Sequence, residues 1–231
     1  MELHRLRFHP HAGRPGSLIG DTARDIQMSG TYAQDMRSAA ADTPISDVAV
    51  FSAAVADFRA GTGQLGDGFD IENLSAPKKL APFSDAVAVT VHRNGDEVAS
   101  GRLILLYDPA GRDEWAGQFR LVAYVQAEVE PELAADPLLG EVGWSWLTEA
   151  LEQCVPAYAA ESGTVTREIT EGFGGKDDEP VLTDFQLRAS WSPLPADGDL
   201  DLASHVAAWG ACIAAAAGLE PPGTSVLGRR R

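Results

Sequence analysis

Between residues 119 and 130 the chain alternates without a break. Phe119, Leu121, Ala123, Val125, Ala127 and Val129 hold one phase, and Arg120, Val122, Tyr124, Gln126, Glu128 and Glu130 hold the other. Successive side chains of a strand point to opposite faces, so this run predicts a strand with one buried and one polar side. The same period recurs at Val87, Val89 and Val91, and Glu97–Tyr107 reads as the return strand. Asn94-Gly95 between them is a dipeptide favoured in tight hairpin turns. Asp108-Pro109-Ala110-Gly111 reads as the turn that leads towards the Phe119 strand. Two further strands are expected at Thr164–Phe173 and Leu182–Trp191. In the second, Phe185, Leu187, Ala189 and Trp191 alternate with Asp184, Gln186, Arg188 and Ser190.

Three stretches carry helical spacing instead. Val48, Phe51, Val55 and Phe58 recur before Gly61, with Ser46 expected as N-cap and Asp47 in the first turn. In Glu141–Val155, Trp144, Leu147, Leu151, Cys154 and Val155 form an apolar stripe, and Trp146 lies about 200° from Trp144 around the axis. Leu202–Ala217 has Asp201 at its start, Gly218 at its end and a seam of Leu202, Val206, Trp209, Ile213 and Ala217. The order α-β-β-β-α-β-β-α, with hairpin-type turns, predicts an α+β fold: an antiparallel five-stranded sheet with helices mainly on one face. Residues 1–43 are expected as a disordered extension, 44–219 as the single domain and 220–231 as a flexible tail. Ala60–Pro77 and Gly174–Pro180 read as loops.

Charge narrows the partners. The net charge is −16 over 231 residues, and residues 1–43 hold five basic and five acidic groups, so the excess belongs to the expected domain. Such a surface repels phosphate backbones, which argues against direct nucleic-acid binding. No apolar run approaches the ~20 residues of a membrane span, and the N-terminus has no apolar signal core, so a cytoplasmic protein without membrane contact is expected. Cys154 and Cys212, both on apolar helical stripes, then read as reduced core thiols.

Motifs for chemistry are scarce. No G-x-S-x-G elbow accompanies His205 or His92, and no catalytic residue is assigned. Gly61–Gly66 spells GxGxxG, but it follows a helix rather than a strand, and Gly172–Lys176 lacks P-loop spacing, so no cofactor is expected. His4, His9 and His11 read as solvated rather than metal-bound, leaving no metal site. Glu128, Glu130, Asp136 and Glu141, with His205, form the one alternative acidic site for acid–base or cation chemistry. The other signal is a surface. Arg102, Arg120 and Arg188 sit at the polar phase of their strands and Tyr124 shares that phase, while Trp146 lies off its helix's stripe. Aligned strands would gather these into an Arg/Tyr face suited to binding a protein partner. Ion pairs with Glu128 or Asp184, and a Trp146 tucked under the Pro131–Leu139 bend, are the competing explanations.

The segment GRLILLYDPAGRDEWAGQFRLVAYVQAEVEPELAADPLLGEVGWSWLTEAL, with RASWSPL at Arg188–Leu194 and HVAAWGACIAAAAGLEPPG at His205–Gly223, resembles the actinobacterial family called domain of unknown function 3000, over roughly residues 46–223. That resemblance implies a cytoplasmic actinobacterial setting and carries no activity, cofactor or catalytic residue. The element order is also similar to that of type III secretion chaperone-like folds, which implies small acidic α+β subunits that pair as dimers and bind other proteins. The expectation is therefore a non-enzymatic protein-binding or chaperone-like adaptor, with a homodimer allowed. An enzyme built on the acidic site is the alternative, and an acidic regulator of a nucleic-acid enzyme is the third reading.

Overall fold

The computed structural model describes residues 45–219 apart from Asp67. The expected N-terminal extension, its three histidines and the tail 220–231 lie outside the described residues. The elements are α1 (Ile45–Thr62), β1 (Phe69–Leu74), β2 (Phe83–Arg93), β3 (Asp96–Arg112), β4 (Gly117–Glu128), α2 (Pro131–Ala135), α3 (Leu139–Cys154), β5 (Tyr158–Thr170), β6 (Leu182–Pro193) and α4 (Leu202–Ala216). The class is α+β and the sheet is antiparallel throughout, in the order β1-β2-β3-β4-β6-β5.

The described chain therefore has six strands and four helices rather than the five and three expected. The added strand, β1, lies inside the stretch read as a loop. As an edge strand with four consecutive exposed residues, it shows no hydrophobic alternation, and what makes it a strand is pairing with β2 from Phe69↔Val91 to Leu74↔Ala86. The added helix, α2, is a single turn opened by Pro131 at its first position. The Asp108–Gly111 stretch is not the hairpin turn. Tyr107 opposes Phe119 and Arg112 opposes Gly117, so these four residues bulge within β3. Asp108 holds the bulge by accepting from the Ala110 N–H and from Arg112 Nε. The chain reverses one step later at Asp113–Trp115, with Ala116 at φ 54°.

One face of the sheet carries the core. Leu121, Ala123, Val125 and Ala127 of β4 pack with Phe185, Leu187 and Trp191 of β6, with Leu103 and Leu105 of β3, and with Phe58, Leu147, Leu151 and Trp209 of the helices. Two glycines let helices come close: a Cβ at Gly61 would lie 2.8 Å from Ala203 Cα, and one at Gly210 would lie 2.3 Å from Leu65 Cδ2. Within the GxGxxG string, Gly61 thus serves the packing of α1 on α4, and Gly66 adopts a φ of 93° in the turn that follows. Asp57 of α1 fastens the same pair by accepting from the Leu202 and Ala203 N–H groups at the start of α4.

Two expected core positions and one expected cap change. Val48 is exposed, Phe58 is buried as expected, and Ala54 is buried with it. The reason is that apolar and polar residues are spread around the circumference of α1, so its spacing does not mark a face. Ser46 lies within α1 rather than capping it. Cys154, the last residue of α3, is exposed, and Val155 beyond the helix end takes the buried place. Cys212 is buried as expected, and burial pushes its thiol up to about 12.

Candidate functional site on the open sheet face

Among the described residues the opposite face has no helix on it. One end is closed by a small cluster in which Ala81, Leu106 and Trp115 pack with Leu80, Ile104 and Val122. The rest is a polar surface whose layout follows from strand register, because residues paired across an antiparallel sheet share a face.

Four rows run across it. Arg102 of β3 pairs with Tyr124 of β4, Tyr124 with Arg188 of β6, and Arg188 with Thr164 of β5. The strands therefore do align the Arg and Tyr positions. Next along the strands is an amide row, Gln126, Gln186 and Thr166. After it comes an acidic row in which Glu128 pairs with Asp184 and Asp184 with Glu168. On the other side of the Arg row lie Val122, Ser190 and Ser162. Four residues separate the Arg row from the acidic row, about 13 Å at the rise of a strand.

Arg120 lies beyond the serine row and is only 8% exposed. Its Nη1 donates to the Ala160 carbonyl at 2.7 Å and to Ser192 Oγ at 3.1 Å, and its Nη2 donates to Ser190 Oγ at 2.7 Å and Ser162 Oγ at 3.4 Å. The arrangement depends on a bulge in β5, where the register slips between Ala159 and Ser162 and Ala160 takes φ 55°. Burial lowers the Arg120 pKa against the opposing pull of Glu114 and Glu161. Arg120 is therefore a clasp joining β4, β5 and β6 through neutral acceptors.

Arg188 stands differently. Its guanidinium lies over the Tyr124 ring, 5.6 Å from the centroid, its Nη2 donates to Gln186 Oε1 at 3.3 Å, and its buried Nε has no partner. Tyr124 donates to Gln126 Oε1 at 2.9 Å, and Gln126 Nε2 in turn donates to Asp184 Oδ1 at 3.3 Å. Burial raises the Tyr124 pKa, outweighing the two neighbouring arginines, so the phenol stays a neutral donor. Among the described residues the ion pairs are Arg59–Asp85, His92–Asp70, Arg112–Asp108 and Lys176–Glu179. None of Arg102, Arg120 and Arg188 is paired with a carboxylate there, although the protein is strongly acidic.

Apart from Glu128 in the acidic row, the remaining expected positions are not gathered with this face. Trp146 is half-buried and meets Phe185 edge-on at 5.1 Å, against the core on the helix side. Glu128, Glu130, Asp136 and Glu141 are all exposed, and no group of three His, Cys, Asp or Glu able to hold a metal ion occurs among the described residues. His205 is 1% exposed in the core, where its Nδ1 accepts from Trp191 Nε1 at 2.9 Å. Burial lowers its pKa to about 4, which keeps it neutral and engaged with the indole. A groove of about 520 Å³ between α1 and the β3–β4 hairpin is mainly apolar, and its one carboxylate, Asp57, is already bonded to the start of α4. Sequence reading left out Glu168, Ser162, Ser190 and Ser192 as members of the face. Their signal was the strand phase of β5 and β6, which a register shift conceals in β5.

A family model described as a protein of unknown function matches residues 47–226. No curated protein and no solved structure matches the chain. The similarity to type III secretion chaperone-like folds rested on an element order that here gains a strand and a helix. No helix among the described residues is long and apolar enough to cross a membrane.

Proposed function

The chain belongs to the DUF3000 family, which carries no assigned activity, and we propose that it is a cytoplasmic, non-enzymatic adaptor that binds another protein through the open sheet face. The observation that carries this reading is the Arg102–Tyr124–Arg188 row, two guanidiniums with no carboxylate partner among the described residues flanking a neutral phenol on a sheet face that no described helix covers. Aromatic and arginine side chains are the types enriched where proteins meet, and a partner surface bearing carboxylates complements this row. Glu128, Glu130, Asp136 and Glu141 are exposed and His205 is buried and neutral in the core, which gives no support to the enzyme alternative.

The test compares the full chain with an Arg102→Glu/Arg188→Glu variant as bait in extracts of the native host, with folding checked by circular dichroism. Partners held by the wild type and lost by the folded variant, with crosslinks mapping to β4, β5 and β6, are expected. Equal capture by both baits, or crosslinks confined to the helices, would defeat the reading.

A further inference from the structure

The open face is dipolar along its strands. The Arg row lies on one side of the Gln126–Gln186 row and the carboxylates Glu128, Asp184 and Glu168 lie on the other, each flank two residues away. Like charges directly opposite each other across strands are destabilising, yet three carboxylates stand in register here. A surface with opposite charges set symmetrically about a line is complementary to a copy of itself turned by a two-fold axis along that line.

We infer that the partner which fits this face is a second copy of the chain, packed sheet to sheet about a two-fold axis running along the Gln126–Gln186 row. This rests on the open face being the docking surface. Such an axis reverses the strand direction and keeps the lateral order, so β4 lies over β4 and β6 over β6. Arg188 then stands over the partner's Asp184, and Tyr124 over the partner's Glu128, each contact occurring twice. The two glutamine positions meet their own copies, where amides can donate and accept. Moving the axis two residues to the Tyr124 row would instead bring arginines onto arginines. The face is also large enough. Five strands about 4.8 Å apart and about eight residues of strand length span roughly 24 by 26 Å, some 600 Å² per copy. Doubled, this reaches the ~1,200 Å² at which stable specific interfaces begin. Facing sheets commonly align within about 30°, which keeps these rows over one another.

The closing experiment measures the mass of the full chain by light scattering after gel filtration, at concentrations up to roughly 100 μM. A dimer is expected for the wild type. Arg188→Asp and Asp184→Arg should each weaken it at least about 100-fold, because every reversal breaks two symmetric contacts. The combined Arg188→Asp/Asp184→Arg variant should regain the dimer, since the charges are exchanged rather than removed. Glu168→Lys, at an exposed edge position with little bearing on folding, should weaken it in the same direction. A monomeric wild type, or a dimer indifferent to the single reversals, would overturn the inference. A monomeric wild type whose captured partner is still lost with Arg102→Glu/Arg188→Glu would overturn self-pairing alone and leave the docking surface standing.

Discussion

Arg120 and Leu121 are neighbours on β4, and their surroundings differ in kind. Leu121 lies at 0% exposure among β-sheet and helix side chains that any apolar residue of its size would satisfy. Arg120 is nearly as inaccessible, but each of its contacts is a directed hydrogen bond to a particular oxygen on β5 or β6. The helix-side face is specified by volume and burial, which tolerate substitution of like for like. The open face is specified by register and by single donors and acceptors, which do not. The first kind of surface is complete within the described chain, whereas the second leaves Arg102 and Arg188 without counter-charges.

The comparison is broken most directly on the core side. Trp191→Ala removes a fully buried indole and strips the hydrogen bond from His205, so a loss of about 3–5 kcal/mol is expected in urea unfolding. A loss below about 1 kcal/mol would mean that this face is not the stabilising one.

Acid offers a second way in, through His205. Above pH 6.5 the imidazole is neutral whether the chain is folded or not. As the pH falls from 6.5 towards 4, the unfolded chain takes up a proton that the folded core refuses, so stability falls. Below pH 4 the folded protein protonates as well and the loss levels off, at about 3 kcal/mol. Unfolding curves at pH 7, 6, 5 and 4 should show this slope, and His205→Asn, which keeps an acceptor for Trp191 Nε1, should flatten it. An unchanged slope in the variant would assign the acid sensitivity to other groups.

The smallest effect is expected on the open face. Arg102→Ala should alter stability by no more than about 0.5 kcal/mol, because the described structure gives this side chain neither an ion pair nor a hydrogen bond. A loss above 1 kcal/mol would assign Arg102 a structural role and erase the contrast between the faces.

How much of this was readable from the sequence follows the same division. The β4 alternation assigned every buried apolar position from Phe119 to Val129 correctly, because burial on one side of a strand leaves a period of two, but it placed Arg120, which is buried too, on the polar phase. Asp201 was readable as the start of α4, and its carboxylate does accept from the Ser204 N–H. β1 was not readable, since an exposed edge strand owes its structure to its neighbour. The phase of Arg102, Tyr124 and Arg188 was readable, but their meeting in one row depended on the register of two strand pairings, the second of which, Tyr124 with Arg188, joins distant parts of the chain. The clasp around Arg120 was invisible for a sharper reason. Its acceptors lie 40 to 72 positions away, and one is a backbone carbonyl presented by a bulge, which no side-chain pattern encodes.

That bulge also bears on where the sheet ends. β5 is an edge strand of 13 residues, long enough to serve as a template for a further strand and hence for uncontrolled growth. The slip at Ala160 bends the strand so that a straight newcomer cannot stay in register along its length, and Glu161, Arg167 and Glu168 would place charges against whatever approached. The residue that offers its carbonyl to Arg120 thus also interrupts the edge at which a further strand would pair.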